Sequence, residues 1–234
     1  TEVERRAVRE AAMNAGARQV MVMEEPMAAA IGAGLPIEEP TGNMVVDIGG
    51  GTSEVAVISL GGIVAARSIR VGGDEFDSAI IAYIKRKYNL LIGERTAEQI
   101  KITIGSAYPL ESEASMEIKG RNLVDGLPKN ISISSEEIRE ALSEAVSLVI
   151  DAIKETLERT PPELAGDIYS DGIILTGGLA KLRGFARLVG TATKLRVRVH
   201  KYAADCTIMG CGKAIRYMDN PDIGAGVSPL MTAY

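Results

Sequence analysis

The chain has 234 residues, of which 46% are hydrophobic and 24% charged, a balance that excludes a mainly disordered state. With 26 Lys and Arg against 31 Asp and Glu, the net charge of −5 argues against a nucleic-acid partner, which demands a basic face. Two cysteines cannot form a disulfide scaffold, so a reducing cytosol fits best, and no apolar run is long enough to span a membrane, because Val55 to Ala66 is broken by Ser59, Gly61 and Gly62.

Thr1-Glu2-Val3-Glu4 has the form of a capping box, and Val3, Ala7, Val8, Ala11, Ala12 and Ala15 recur at helical spacing before Gly16. Thr1 is not an initiator methionine, so the chain is expected to begin inside a longer protein. Val20 to Met23 predicts a short strand, and Pro26 predicts the first turn of a second helix running through Ala33. Met44-Val45-Val46 predicts a buried strand ending at Asp47, followed by a meander of two β-branched runs, Thr52 to Ser59 and Ile63 to Val71, turned at Leu60-Gly61-Gly62. Asp74 is placed to cap a helix to about Tyr88, with Phe76, Ile80, Ile81 and Ile84 on its apolar face. Thr96-Ala97-Glu98-Gln99 predicts a second capping box, opening a helix through about Ser106. Ser115 to Lys119 and Asn130 to Ser134 predict antiparallel strands, and Ser134-Ser135-Glu136-Glu137 starts the longest helix, ending near Thr160-Pro161-Pro162. A strand from Gly172 to Leu175, a helix to about Thr193, a strand from Leu195 to Val199 and a helix from about Asp205 to Met218 complete the pattern, before a loose tail from Asn220. Alternating strands and helices interrupted by a hairpin meander predict an α/β core with a mixed sheet and an inserted α+β subdomain.

Two glycine turns carry the chemistry. In Val46-Asp47-Ile48-Gly49-Gly50-Gly51-Thr52-Ser53, a strand delivers a carboxylate to its end and the glycines expose successive amides, a nest suited to anions, with the Thr52 and Ser53 hydroxyls as further donors. Asp47 stands where it can hold a Mg²⁺ ion through water. A lone glycine triplet is more often an ordinary hairpin. Ile173-Ile174-Leu175-Thr176-Gly177-Gly178 is again strand-then-glycine but leads into a helix, which suits a nucleotide's α-phosphate or its sugar and base. A plain strand-to-helix turn is as good a reading of it alone; the pair is far more specific than either member. His200 has no partner motif, and Cys206 and Cys211 lie five apart on a predicted helix, so neither a disulfide nor a metal pair is indicated.

From Glu24 to Pro36 (EEPMAAAIGAGLP), Val46 to Val57 (VDIGGGTSEVAV), Arg70 to Asp74 (RVGGD) and Ala97 to Ser106 (AEQIKITIGS), the chain resembles the MreB family of bacterial actin-like cell-shape proteins, over roughly residues 1 to 218. The resemblance implies an actin-like ATPase fold, a ribonuclease H-like mixed sheet with flanking helices and an inserted small α+β subdomain. It divides the chain into 1–33, the end of the first large subdomain; 34–71 and 135–200, the second, nucleotide-binding subdomain; 72–134, the insertion; 201–219, a closing helix; and 220–234, the tail. It implies ATP and Mg²⁺ as cofactors, with Asp47 toward the metal, Gly49, Gly50, Gly51 and Thr52 as the second phosphate loop, and Thr176, Gly177 and Gly178 as the adenosine loop. Glu25 matches the glutamate that, with Thr52, orients the attacking water, and phosphoryl transfer depends on such orientation. Glu98 and Lys101 match residues at the sugar and base, and their i,i+3 spacing puts them on one helix face.

Further implications are self-association into filaments, partners among membrane and cell-wall-synthesis proteins, and a place at the inner face of the cell membrane. The chain is expected to begin beyond the family's first phosphate loop and its membrane-contacting part, and therefore to be a poor ATPase alone. Leu179 stands where the family carries a third glycine. The ATPase domain of a DnaK-type chaperone and an actin-fold sugar or acetate kinase are the alternatives.

Overall fold

The computed structural model describes residues 2–219. Its centre is strand β1 (Asn43–Ile48), buried along its whole length. Antiparallel β2 (Ser53–Ser59) and β3 (Gly62–Ile69) lie to one side of it and parallel β7 (Ile173–Thr176) and β8 (Val197–Val199) to the other, giving the sheet order β3-β2-β1-β7-β8. The expected mixed sheet is therefore present. A second sheet, β4-β5-β6 (Leu90–Leu91, Ser115–Asn122, Pro128–Ser134), falls in the chain between β3 and β7 and packs with helices α3 (Gly73–Tyr88) and α4 (Glu94–Ile104).

Side chains alternate across a strand, so β1 serves two layers. Met44, Val46 and Ile48 enter the larger core with Phe76, Ile80, Ile138 and Val149 from α3 and from α5 (Ser135–Glu158). Val45 enters a smaller core on the opposite face, beneath α2 (Glu25–Ala33) with Met27, Ala30 and Ile31. Asp47 follows Val45 onto that face. Helix α2 is buried over most of its surface, and α8 (Cys206–Asp219) crosses it at very short range. A Cβ on Gly32 would lie 1.8 Å from the Cys206 carbonyl oxygen, and one on Gly210 would lie 1.8 Å from that of Ala28. Only glycine permits this crossing.

Helix α1 (Glu2–Asn14) buries no residue, and Thr1 of its expected capping box lies outside the described residues, as does the expected tail from Asn220. Val20 to Met23 is not a strand: it joins neither sheet, and an extended run without a ladder partner stays irregular. Asp74 does not cap α3. Gly72 occupies that position, and the first amides of the helix, Gly73 N–H and Asp74 N–H, donate to the carbonyls of Gly49 (3.0 Å) and Gly50 (2.8 Å). The glycine turn itself is the cap. The Thr96 capping box is also absent, because α4 starts at Glu94, with Gly93 as its N-cap.

Ser134 opens α5, as expected, and does so with a capping box. Ser134 Oγ accepts from Glu137 N–H (3.3 Å), and Glu137 Oε2 accepts from Ser134 N–H (2.8 Å). The Pro161-Pro162 pair that ends α5 also opens an unanticipated helix, α6 (Pro162–Asp171), with proline in the first turn where its missing N–H is harmless. After Thr176 the chain takes a 3₁₀ turn, Gly178–Lys181, before α7 (Phe185–Thr193), where the sequence predicted one continuous helix.

Candidate nucleotide cleft

The two glycine turns, remote along the chain, meet at one crevice. Gly49 and Gly50 line one side of a cleft of about 450 Å³, and Gly178 and Leu179 line another, with Glu98 and Lys101 from α4 and Asp77 from α3 completing the wall. The parallel pairing of β1 with β7 is the reason, because Asp47 and Thr176 stand opposite each other in register and both strands release their glycine turns at the same end of the sheet. Asp47, Gly51, Thr52, Thr176, Gly177 and Glu25 lie outside the cleft lining.

Each turn is fitted to that place by contacts a side chain would destroy. Gly177 has φ +82°, and a Cβ there would lie 2.2 Å from the Ile48 carbonyl oxygen and 2.6 Å from Asp47 Oδ1. A Cβ on Gly72 would lie 2.5 Å from the Gly50 carbonyl oxygen, so α3 rests directly on the turn after β1. By contrast, Cβ atoms built on Gly51 and Gly178 meet nothing within 4 Å. At Gly178, which lines the cleft, that open space lets a ligand approach the backbone.

The donors differ in part from those the sequence offered. Ser53 Oγ is buried and donates to the Val71 carbonyl (2.6 Å), which removes it from any anion site. Gly49 N–H donates to the Thr52 carbonyl (2.9 Å), so it too is already engaged.

On the α2 face of the sheet, Asp47 is 4% exposed, and its Oδ2 accepts from the Thr207 hydroxyl of α8 (2.7 Å). Burial pushes its carboxyl pKa up, against the opposing pull of the Thr207 and Thr176 hydroxyls. Glu25 is exposed at the start of α2, and its pKa is raised by partial desolvation and then by the charge of Asp47. Glu54, paired across the strands with Asp47, is raised first by burial, lowered by the Ser68 hydroxyl, and raised again by Glu25 and Asp47. Three carboxylates therefore feel one another here. Glu54 was missed because it reads as the outward residue of an ordinary strand; its register opposite Asp47 is the signal that finds it.

On the cleft side, Lys101 shares its helix face with Glu98, but its hydrogen bonds go to another helix. Its ammonium donates to Asp77 Oδ2 (2.8 Å) and to the Gly73 carbonyl (2.9 Å). Asp74, which the sequence offered as a helix cap, and Lys181 and Arg183, which it did not single out, also line the cleft. The Arg183 carbonyl accepts from Ala107 N–H (2.8 Å), which ties the segment after α4 to the segment after β7. His200 Nδ1 lies 3.0 Å from the buried Cys206 thiol, whose pKa is pushed up to about 11, chiefly by burial; Cys211 is free and exposed.

A family model described as MreB/Mbl protein matches residues 1–223. The chain belongs to the MreB/Mbl family. It is 54% identical over 219 residues to the cell shape-determining protein MreB of Escherichia coli (strain K12), covering 94% of this chain and 63% of that protein. It is 49% identical to the cell shape-determining protein Mbl of Bacillus subtilis (strain 168), covering 94% of this chain and 66% of that protein. It thus spans just under two-thirds of these curated relatives.

Among solved structures, MreB 5 of Spiroplasma citri bound to AMPPNP superposes with a TM-score of 0.91 at 44% identity, covering 97% of this chain and 68% of that one. A MamK double helical filament matches at TM-score 0.68 and 22% identity, over 84% of this chain and 59% of that one, and shares the fold. The MreB/Mbl chain has the actin-like fold, and these matches do not favour the chaperone or sugar-kinase alternatives.

Proposed function

We propose that this MreB/Mbl chain carries the adenosine side and one phosphate loop of an ATP site in an actin-like filament protein that hydrolyses ATP and guides wall synthesis at the inner face of the bacterial membrane. The observation that carries this reading is the convergence of the Gly49–Gly50 and Gly178 turns on one cleft that also presents Glu98 and Lys101. The S. citri relatives solved with ADP and AMPPNP support it. The open backbone at Gly51 and Gly178 suits phosphate and nucleoside respectively, and Lys101 supplies a cation to the wall between them. Glu25, exposed and within reach of the charge of Asp47, orients the attacking water with Thr52.

The donor set fits Mg²⁺ only indirectly. Asp47 already accepts from Thr207, and among the described residues no group of three acidic, His or Cys side chains is placed to hold a metal. Asp47 fits a hydrated ion carried by the nucleotide phosphates, which when bound neutralises phosphate charge. Family membership supports self-association as the outcome of nucleotide binding, with further partners among membrane and wall-synthesis proteins. The test is sedimentation of the intact protein with ATP, together with phosphate release. Assembly with ATP is expected, and Glu25→Ala should slow hydrolysis far more than it weakens ATP binding. Failure to sediment at any concentration, with phosphoryl transfer to a sugar, would overturn the reading; equal losses of hydrolysis and binding would make Glu25 a structural residue.

A further inference from the structure

We infer that Asp77 is the positioning residue for Lys101, holding its ammonium against the cleft wall so that a nucleotide meets a cation already in place. The inference rests on the nucleotide reading above and adds to it a residue that no spacing in the sequence connects to Lys101. The two side chains come from different helices, α4 and α3, and meet at 2.8 Å with only 11% and 13% of their surfaces exposed. Lys101 Nζ also donates to the Gly73 carbonyl, and Gly73 N–H in turn donates to the Gly49 carbonyl of the phosphate turn. A short path of hydrogen bonds therefore runs from Lys101 through the start of α3 to that turn.

The chemistry of the group gives the path its purpose. An ammonium has three N–H donors, and here two are directed at protein acceptors, which leaves the third for the cleft that Lys101 lines. A lysine stem is among the most flexible in the protein set, so an unanchored Lys101 would lose its rotamer freedom at the moment of binding. Asp77 removes that freedom beforehand. Burial of the pair is poor evidence for a stability role, because a buried ion pair gains little over an apolar pair of the same volume. Asp77 Oδ1, buried and without a hydrogen-bond donor, adds a cost that a purely structural pair would avoid. Glu98 and Asp74 line the same cleft, yet neither is a hydrogen-bond partner of Lys101.

The experiment is a double-mutant cycle on the intact protein, with ADP affinity read by titration calorimetry for wild type, Asp77→Asn, Lys101→Met and the double variant. Asp77→Asn is expected to weaken ADP binding on the order of tenfold in the wild-type background and to cost nothing further once Lys101 is gone. If Asp77→Asn does not fold, Asp77→Ser takes its place in the same cycle. Unchanged affinity in Asp77→Asn, or losses that simply multiply in the double variant, would overturn the assignment while leaving the cleft reading intact. A wild-type protein that binds no ADP would overturn both.

Discussion

Two glycines on one helix should respond to the same substitution with opposite signs. Gly210 faces α2, and an added Cβ would sit 1.8 Å from the Ala28 carbonyl oxygen. An ordinary carbon–oxygen contact is about 3.3 Å, so Gly210→Ala forces α8 back by about 1.5 Å. Thr207, one turn earlier, would then be drawn from its 2.7 Å bond to Asp47, and Lys213 from the α2 carbonyls of Ile31 (2.8 Å) and Gly32 (3.1 Å). Overpacking costs about 1–3 kcal/mol, and loss of a charged hydrogen bond adds about 1.5–3 kcal/mol. Alanine's helix propensity returns about 1 kcal/mol, leaving a net destabilisation of about 1.5–5 kcal/mol. Gly212, two residues on, is exposed with nothing within 4 Å of its added Cβ, so Gly212→Ala should gain up to about 1 kcal/mol. Urea unfolding followed by circular dichroism measures both variants. A Gly210→Ala midpoint at or above the wild type, or a loss in Gly212→Ala as large as in Gly210→Ala, would refute the claim that the crossing is set by backbone-to-backbone contact.

Gly177→Ala combines a left-handed φ of +82° with a Cβ 2.2 Å from the Ile48 carbonyl oxygen, so β1 and β7 must part at Asp47. A loss of at least about 3 kcal/mol is expected in thermal unfolding, together with loss of ADP binding, and a midpoint within a degree or two of wild type would contradict it. Glu137 supplies the pH prediction. Burial raises its pKa, but hydrogen bonds from Lys87 and Tyr88 and from the Ser134 amide outweigh burial and hold it down to about 2. Its folded value lies below the ordinary unfolded value of about 4.3, so its contribution is complete above that pH and fades as pH falls toward 2. Glu137→Gln should lose about 1–3 kcal/mol at neutral pH and show a flatter decline across that acid window; stability curves that run parallel to wild type through the window would sink the assignment.

What the sequence disclosed was governed by how local each cause is. The Ser134 start of α5 and the Pro26 start of α2 are set by neighbours within one turn, and both stand as predicted. β1 and its glycine turn were legible because a buried strand of β-branched residues and a glycine run are themselves the local signal. Asp74 and Thr96 failed as caps for a different reason: a cap position can be taken by a carbonyl from elsewhere, or the helix can start earlier. The Gly49 and Gly50 carbonyls that satisfy α3 come from a turn 24 residues upstream of the amides they accept. Lys101 repeats the lesson. Its i,i+3 neighbour Glu98 was the only partner that sequence spacing could offer, while the actual partner, Asp77, also lies 24 residues away. Val20 to Met23 had the composition of a strand, but composition cannot supply an edge to pair with.

The same nonlocal contacts decide which residues can report on chemistry without reporting on stability. Asp47 is buried, holds the Thr207 hydroxyl and sits against Gly177, so removing its carboxylate would leave the half-buried Thr207 hydroxyl without its acceptor and open the junction of β1, β7 and α8. A rate lost in such a variant says little about the reaction. Glu25 is different: it is exposed, sits at the first turn of α2 before the buried Pro26, and interacts with Asp47 through charge. Its truncation leaves no cavity, and by relieving repulsion it should make Asp47 easier to ionise. Any loss of hydrolysis in Glu25→Ala must therefore come from the missing carboxylate itself, which makes this exposed side chain the sharper probe of the proposed water-orienting step.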